Sequence, residues 1–365
     1  MKILYDYQMF DAQKFGGISR YFANLISGMK AYPEMKEKVS VLFTNNYYLK
    51  DKKKWKFDHA AWRLLFKNPK RLTKWNKNYS KFCIKKGDYD LFHPTYYNPY
   101  FLKFLEKKFV ITVHDMIYEL YPQYFGALDH TPQNKRKVIA AATHIIAISE
   151  TTKQDLMRFL EVPEEKITVI YHGHTPIRNE NEPALDLPEN YVLFVGSRDD
   201  YKNFGLFSDA MALLMQKDET LHLVCTGGGV FTESERAALQ KLGILARTGQ
   251  YQASDEGLYW IYKKARLFAY PSLYEGFGLP ILEAFEADCP VVLSDTPSFV
   301  EVAADAALFF DPKDPQQMAD AFLQVLSDQE LSTRLIVSGR NRLKEFSMED
   351  CVARTIAVYK KCGKN

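Results

Sequence analysis

The segment 266–287 limits the fold of this chain more than any other part of its sequence. Residues 266–271 form an apolar run that is typical of a buried parallel strand, and a turn containing Gly276 and Gly278 follows it. Residues 281–287 then have the pattern of a helix. A strand, a glycine turn and a helix start in this order expose backbone N–H groups at the carboxyl edge of a sheet, where open α/β sheets bind ligands. The segment therefore predicts an α/β domain with a ligand site at that edge.

Two carboxylates accompany this turn. Glu275 lies within it, and Glu283 follows eight residues later in the predicted helix. Ionised carboxylates only accept hydrogen bonds, so two of them at this spacing suit a ligand with hydroxyls at two separate points, as in a sugar and a ribose. The alternative for such a spacing is a surface loop beside a solvated helix face.

The strand and helix patterns occur in two successive runs, which indicates two domains in a chain of 365 residues. Between the runs, residues 176–190 are polar, contain proline and lack an apolar period, as expected for a linker. The predicted fold class is α/β, with two doubly wound Rossmann-like domains facing across a cleft. The predicted parts are an N-terminal domain 1–175, the linker 176–190, a C-terminal domain 191–345 and a final helix in 346–365. The strands predicted in the N-terminal domain are 3–7, 39–43, 89–92, 109–113, 143–148 and 167–171, and Ser149 is a predicted helix cap.

Polar and glycine residues follow several of the predicted strands in the first half. Gly16 and Gly17 stand between the first strand and a helix, where a phosphate can bind, although such a pair more often only makes a turn. His93, Tyr96 and His114 also come after strands. A single histidine at a strand end is usually structural.

The second half carries a basic turn after its first strand. Arg198 and Lys202 would suit a diphosphate at this strand-to-helix turn, or they could neutralise Asp199 or Asp200. The glycine run 227–229 follows the next strand, and the turn 248–251 is predicted to follow a short strand after that.

The segment Ser272 to Ala284 resembles the Glu-x7-Glu segment of the retaining family 4 glycosyltransferases (glycosyl transferases group 1), which have the GT-B fold. His114-Asp115 resembles the His-Asp segment of that family, and the glycine run 227–229 resembles its Gly-rich turn. The resemblance covers nearly the whole chain except residues 50–86. Many relatives have Arg-Lys-Asn where this chain has Tyr201-Lys202-Asn203.

The resemblance implies a retaining, metal-independent glycosyltransferase without a cofactor, and a final helix that packs back on the first domain. It would move a hexose from a nucleotide diphosphate sugar, with GDP-mannose favoured, to a glycan or lipid-linked acceptor in cell-surface polysaccharide synthesis. The alternatives are an inactive nucleotide-sugar-binding scaffold, or an epimerase or phosphorylase of the same fold. The residues that the resemblance assigns to catalysis are His114, Arg198, Lys202 and Glu275. Those assigned to the donor are Gly16, Gly17, Gly228, Gln250, Tyr251, Gly276, Phe277, Gly278, Leu279 and Glu283. Apart from the resemblance, His93 and Tyr96 at the end of a predicted strand are the acceptor-side candidates.

Residues 50–86 form a basic, aromatic insertion. They contain fourteen Lys or Arg residues against Asp51 and Asp58, a local net charge of +12, together with Trp55, Trp62 and Trp75. This composition suits an anionic membrane surface. The alternatives are a solvated insertion whose aromatic rings pack back on the domain, and a nucleic-acid site, for which no recognised module is present.

The remaining features favour a cytoplasmic protein, and the basic insertion would make it peripheral on the inner membrane face. The five cysteines are scattered without metal-ligand spacing, which predicts reduced thiols. No apolar run reaches the roughly 18 residues of a membrane span. Residues 1–6 predict a strand rather than a signal peptide.

Overall fold

A computed structural model describes residues 1–52, 69–126, 128–176, 182–198 and 200–363. The chain divides into a first unit, Met1–Gly173 with Met348–Asn365, and a second unit, His174–Ser347. Both units contain parallel sheets and helices, which confirms the predicted α/β class. Trp55, Trp62 and most of the basic insertion lie outside the described residues.

The strands of the described residues are short and parallel, as in doubly wound folds. In chain order they are β1 (Lys2–Tyr5), β2 (Lys36–Val39), β3 (Leu91–His93), β4 (Val110–Val113), β5 (His144–Ala147), β6 (Ile167–Val169), β7 (Tyr191–Val195), β8 (His222–Thr226), β9 (Thr248–Tyr251), β10 (Leu267–Tyr270), β11 (Val291–Ser294) and β12 (Leu308–Phe310).

Helices alternate with these strands. In chain order they are α1 (Gln8–Ala12), α2 (Gly17–Gly28), α3 (Pro69–Lys86), α4 (Ile117–Leu120), α5 (Thr131–Ala141), α6 (Glu150–Leu160), α7 (Phe204–Met215), α8 (Glu233–Lys241), α9 (Asp255–Lys264), α10 (Leu279–Glu286), α11 (Pro297–Ala303), α12 (Pro315–Ser327), α13 (Gln329–Leu343) and α14 (Met348–Gly363). Short 3-10 turns cover Met29–Ala31, Tyr47–Lys52, Pro122–Tyr124, Glu164–Lys166, Asp200–Lys202, Leu245–Arg247 and Ala304–Ala306.

The first unit contains two three-stranded sheets, ordered β2-β1-β3 and β4-β5-β6. A single parallel bridge between Phe92 and Phe109 links them. All four residues of β4 are buried, as expected for a parallel strand that is covered on both faces. The predicted cap is confirmed, because the Ser149 side chain accepts a hydrogen bond from the backbone N–H of Thr152 at the start of α6.

The final helix, α14, packs inside the first unit against α2. The contact is close at Gly28, where a Cβ atom would lie 2.6 Å from the Val352 side chain. Tyr359 of α14 is fully buried, and its hydroxyl lies 2.9 Å from the Tyr5 hydroxyl and 2.6 Å from Nδ1 of His93. The other ring nitrogen of His93 lies 3.0 Å from the Thr112 hydroxyl. Both nitrogens of this buried histidine are thus satisfied inside the core.

The second unit has one six-stranded sheet, ordered β12-β11-β10-β7-β8-β9. The chain enters at β7, adds β8 and β9 on one side, and then returns to add β10, β11 and β12 on the other. The strand order therefore reverses between β7 and β10. In an open parallel sheet, this topological switch point leaves a crevice at the carboxyl ends of the two strands, and ligands bind there.

The second strand was predicted wrongly. The sequence favoured the apolar residues 39–43, whereas the structure has β2 at Lys36–Val39, paired in register with all of β1. Because β1 ends at Tyr5, the chain beyond Val39 has no strand to pair with. The backbone N–H groups of Leu42 and Phe43 donate instead to Oδ1 of Asn76 in α3, each at 3.0 Å.

Two further predictions need correction in the second unit. Residues 248–251 are the strand β9 itself and not a turn after a strand. The helix α13 was not among the predicted elements. Gly339 lies in its interior, where glycine is unfavourable, so the sequence does not favour a helix there. The glycine is required there, since a Cβ atom would lie 2.6 Å from the ring of Phe285.

Two predictions about the whole chain can be compared with the structure. All five cysteines are free and buried, which confirms the predicted thiols. Within the described ranges, the helices are too short or too polar to cross a bilayer.

We expect acid to destabilise the protein less when His93 is replaced. Burial lowers the pKa of His93 to about 3 in the folded protein, whereas an unfolded histidine has a pKa of about 6.5. The neutral ring therefore makes its full contribution to the free energy of unfolding above pH 6.5. This contribution decreases as the pH falls towards 3, since only the unfolded state then binds the proton. From pH 7 to pH 5 this lowers the free energy of unfolding by about 2 kcal/mol in the wild type.

Urea unfolding of the wild type and His93→Gln at both pH values measures this difference. In His93→Gln, the free energy of unfolding should not show this decrease between pH 7 and pH 5. Replacement of the exposed His130 by Gln should leave the wild-type pH dependence unchanged. An equal pH dependence in wild type and His93→Gln would contradict the neutral buried ring.

Candidate functional site

The switch point of the second unit carries an ion pair. Lys202 ends the 3-10 turn after β7, and Glu275 lies in the turn after β10. Nζ of Lys202 pairs with Oε1 of Glu275, and the two side chains are only 11% and 16% exposed. The same oxygen accepts hydrogen bonds from the hydroxyls of Tyr270 at 3.1 Å and Ser272 at 2.9 Å. The structure therefore brings together two predicted site residues that lie 73 positions apart.

The second carboxylate, Glu283, lies inside α10 and is 5% exposed. The hydroxyl of Tyr262 donates to its Oε2 at 3.2 Å. Burial raises the pKa of Tyr262 and of Tyr270 well above 10, and the nearby Glu283 and Glu275 raise it further. Both phenols thus stay protonated and act as donors to the two carboxylates.

The turn between the carboxylates starts α10. Gly278 is the residue before the helix and has φ +101°, a conformation that favours glycine. A Cβ atom here would also lie 2.9 Å from the ring of Phe299. Gly276, Phe277 and Leu279 belong to the same turn, and the ring of Phe277 is buried edge-on against Phe346 at 5.6 Å. The first turn of α10 has no acidic residue, so its N-terminal partial positive charge stays available for an anion.

Arg198 is placed differently from Lys202. Its side chain is 3% exposed and pairs with Glu235 of α8, at 2.6 Å from Nε to Oε1. Its remaining nitrogens contact carbonyls of the glycine run that contains Gly228. Asp199, one of the alternative partners considered from the sequence, lies outside the described residues.

Gln250 and Tyr251 lie in the edge strand β9, opposite Cys225 and Thr226 of β8. Both are partly exposed. The ring of Tyr251 covers Gly249, where a Cβ atom would lie 2.6 Å from it. The two residues thus reach the carboxyl edge of the sheet on the side of the Gly-rich turn.

The first unit carries a pair of stacked histidines at the carboxyl ends of β4 and β6. The rings of His114 and His172 lie 5.7 Å apart at an interplanar angle of 14°, and the ring of Tyr21 is edge-on to both. Neither ring nitrogen of the buried His114 has a hydrogen-bond partner among the described residues. Burial lowers the pKa of His114 well below its ordinary value, and that of His172 to about 3, so both rings are neutral.

The other first-unit candidates are Gly16, Gly17, Tyr96 and His93. Gly16 and Gly17 precede and start α2, the helix that supplies Tyr21. Tyr96 is half-buried, with its ring 4.5 Å from that of Tyr97. His93 is fully buried, and its ring nitrogens are used by Tyr359 and Thr112, as is usual for a core histidine.

Several residues of these clusters were not predicted from the sequence. Tyr270 and Ser272 flank the end of β10, and His172 follows a strand as His114 does, so a search of strand ends could have found these three. Glu235 carries only the signal of a capping box with Thr232, which is also present in the structure. Among the described residues, no group of three or more His, Cys, Asp or Glu side chains is arranged to hold a metal ion.

Comparison with known families matches nearly the whole chain. Residues 15–176 match the family described as Glycosyltransferase Family 4. Residues 177–342 match the family described as Glycosyl transferases group 1.

Curated relatives include two bacterial mannosyltransferases. The chain is 29% identical over 287 residues to the O-antigen chain mannosyltransferase B of Escherichia coli, covering 75% of this chain and 74% of that protein. It is 29% identical over 216 residues to the O-antigen chain mannosyltransferase RfbU of Salmonella typhimurium, covering 59% of this chain and 60% of that protein. The match thus spans less than two thirds of the length of the second relative.

Solved structures share the fold at lower identity. Sucrose-phosphate synthase from Thermosynechococcus elongatus aligns with a TM-score of 0.75 and 19% identity, over 99% of this chain and 98% of that chain. HepE from Anabaena, solved with UDP and glucose, aligns with a TM-score of 0.73 and 17% identity, over 99% and 100%. Together with the two family matches, these similarities show that the chain belongs to the group 1 glycosyltransferases of the GT-B fold and is a transferase enzyme.

Proposed function

We propose that this enzyme transfers a hexose, with retention of anomeric configuration and without a metal ion, from a nucleotide diphosphate sugar to a hydroxyl of a glycan or lipid-linked acceptor. The product would belong to a cell-surface polysaccharide. The observation that carries the proposal is the Lys202–Glu275 pair at the switch point of the second unit. A cation and a hydroxyl-binding carboxylate there match the two halves of such a donor, its diphosphate and its sugar.

The proposed role of Lys202 is to stabilise the leaving diphosphate. When the bond between the anomeric carbon and the diphosphate oxygen breaks, the electron pair stays on the diphosphate and its negative charge grows. Lys202 and the N–H groups at the start of α10 would stabilise that charge, a preorganised electrostatic effect that is often the largest in catalysis. Since Lys202 now pairs with Glu275, the diphosphate would replace that carboxylate as its partner.

The proposed roles of the carboxylates follow from their acceptor oxygens. Oε1 of Glu275 already accepts hydrogen bonds from Lys202, Tyr270 and Ser272. Its second oxygen would accept from hydroxyls of the donor sugar. Glu283 would accept from the ribose hydroxyls. The resemblance assigns the backbone amides of Phe277 to Leu279, together with Glu275, to the donor sugar.

Other predicted residues would meet the rest of the substrates. Gly228 would lie beside the diphosphate, and Gln250 and Tyr251 would lie against the nucleotide base. His114 would face the transferred sugar, with its neutral ring able to bind a hydroxyl as donor or acceptor. Gly16 and Gly17 would face the donor, and Tyr96 would lie on the acceptor side.

We favour GDP-mannose as the donor. The relatives at 29% identity are named as mannosyltransferases of O-antigen chains. The neighbours solved with UDP or UDP-glucose are only 15–17% identical, and at that level the likeness concerns the fold alone. The same relatives support a growing polysaccharide as the acceptor.

We predict that Lys202→Ala lowers the rate of sugar transfer or of donor hydrolysis by about 10²–10³-fold, as loss of a preorganised charge at a leaving group does. Lys202→Gln keeps a donor for Glu275 but lacks the charge, and should lose nearly as much. The assay uses GDP-mannose, with UDP-glucose as the second donor. Replacement of the exposed Lys217 by Ala in the same unit should leave the rate unchanged; near wild-type rates in both Lys202 variants would remove the proposed role.

A membrane surface is the proposed location of the acceptor. The helix α3 carries seven Lys or Arg residues and no acidic residue, and it is anchored by a buried face that includes Leu72, Cys83 and Ile84. Phe82 on its outer side is 61% exposed. Trp75, in contrast, packs on Phe43 at 5.7 Å, so this aromatic ring does pack back on its unit. We therefore propose that the basic face of α3 contacts anionic lipid on the cytoplasmic side of a membrane.

Neutralising this face should release the protein from anionic vesicles. Each basic residue near the surface contributes roughly 1 kcal/mol, so replacing exposed Lys70, Lys74 and Lys85 by Gln should lower the partition coefficient on the order of 100-fold. Sedimentation with vesicles of phosphatidylglycerol and phosphatidylcholine measures it. A control replaces the exposed second-unit residues Lys217, Lys241 and Lys313 by Gln, and equal binding of both triple variants would contradict the proposal.

A further inference from the structure

The guanidinium of Arg198 is surrounded by acceptors within the second unit. Nε donates to Glu235 Oε1 at 2.6 Å, Nη1 to the carbonyl of Gly227 at 3.2 Å, and Nη2 to the carbonyls of Gly229 and Val230 at 3.0 and 3.1 Å. Nη2 also lies 3.4 Å from the carbonyl of Gly228. The ring of Phe231 packs beneath the guanidinium, 4.7 Å from its central carbon. Each nitrogen of the group therefore donates within the protein.

The turn that Arg198 holds has an unusual backbone. Gly227, Gly228 and Gly229 have φ values of +82°, +69° and +76°, so three consecutive residues are left-handed. Other residues lose roughly 1–2 kcal/mol in this conformation. At Gly228, a Cβ atom would lie 2.9 Å from Nη1 of Arg198 and 3.0 Å from the carbonyl of Gly196. The turn is thus packed against Arg198 and against the end of β7.

The direction of the carbonyls fixes the direction of the amides. The peptide bonds of this turn are trans, and in a trans peptide the N–H of the next residue points away from the carbonyl. Carbonyls of Gly227 to Val230 directed at Arg198 therefore turn the N–H groups of residues 228–231 to the other side. None of these N–H groups donates to another residue that the structure describes. Gly228, Gly229 and Val230 are exposed residues, which agrees with amides that point away from Arg198.

We infer that Arg198 and Glu235 act as positioning residues: they hold the Gly-rich turn so that its backbone amides bind the donor diphosphate, while Arg198 does not touch the diphosphate. The inference rests on the proposed function and assigns the phosphate contacts to Lys202 and to the amides of residues 228–231. Tyr201 stands where many relatives have arginine. In this inference, Lys202 is therefore the cation of this turn that binds the diphosphate.

The binding of a nucleotide diphosphate to Arg198→Gln, Glu235→Gln and the double variant tests this. A glutamine in place of Glu235 can still form the capping box with Thr232, so the N-terminus of α8 should remain capped. We expect each single variant to bind GDP about 10-fold more weakly by calorimetry, because amides that are no longer held lose hydrogen bonds to a charged group. The double variant should bind GDP no more weakly than Arg198→Gln does, since both substitutions remove the same interaction between Arg198 and Glu235. Affinity for guanosine, which lacks the phosphates, should stay unchanged in all of them.

A direct contact of Arg198 with the diphosphate gives a different pattern. Glu235→Gln would then bind GDP as well as the wild type, and Arg198→Lys would recover most of the affinity lost in Arg198→Gln, because a point charge would suffice. Either result would overturn the inference. A positioning role predicts that Arg198→Lys does not recover, since lysine lacks the planar fork that reaches several carbonyls.

Gly228→Ala keeps both charges and provides a second test if the Arg198 variants do not fold. Its left-handed φ and its close approach to Arg198 should distort the turn and weaken GDP binding to a similar degree, whereas wild-type affinity would overturn the inference. If the wild type binds neither GDP nor UDP, the proposed function fails as well. If it binds one of them while Glu235→Gln is unaffected, only the role of Arg198 and Glu235 fails.

Discussion

The ion pair of Lys202 and Glu275 joins the two turns at the switch point of the second unit, and the proposed chemistry depends on it. The side chains of Lys202 and Glu275 are only 11% and 16% exposed, and burying two charges is unfavourable unless each is paired and hydrogen-bonded. Tyr270 and Ser272 supply further donors to the carboxylate, so Glu275 stays satisfied when a ligand takes Lys202 away. The arrangement keeps a lysine ready for an anion at the place where the sheet topology forms a crevice.

The two units differ in the chemistry they present. The second unit combines Lys202, the start of α10 and the amides of the Gly-rich turn, which are all suited to a diphosphate. In the first unit, His114 and His172 are neutral because they are buried, and the phenol ring of Tyr21 packs against them. Neutral rings of this kind suit hydroxyl groups better than phosphates. This difference supports the proposed roles, in which the second unit binds the diphosphate and the histidines of the first unit bind hydroxyl groups.

The sequence predicted the elements of the second unit best where the apolar pattern is clear. The sequence predicts strands at 191–195 and 308–310 and a helix at 315–327, and β7, β12 and α12 have these bounds. Continuous apolar runs or a clear 3.6-residue period identify them. Prediction failed where a distant partner decides the local structure. Asn76 takes over the N–H groups beyond β2, and Phe285 requires a glycine inside α13.

The same limit applies to the site. The spacing of Glu275 and Glu283 and the basic turn after β7 are local patterns, and they pointed to the switch point. The partners of Arg198 are not local, since Glu235 is 37 positions away, so no spacing rule could separate Arg198 from Lys202. His172 and Tyr270 were missed for a different reason: a search of strand ends would include them, but together with many other single polar residues.

The most direct measurement of the central claim is an experimental structure with a nucleotide diphosphate bound. The account predicts that Nζ of Lys202 has left Glu275 and lies about 2.7–2.9 Å from a diphosphate oxygen at the carboxyl ends of β7 and β10. A diphosphate bound elsewhere in the protein, with Lys202 still paired to Glu275, would contradict it.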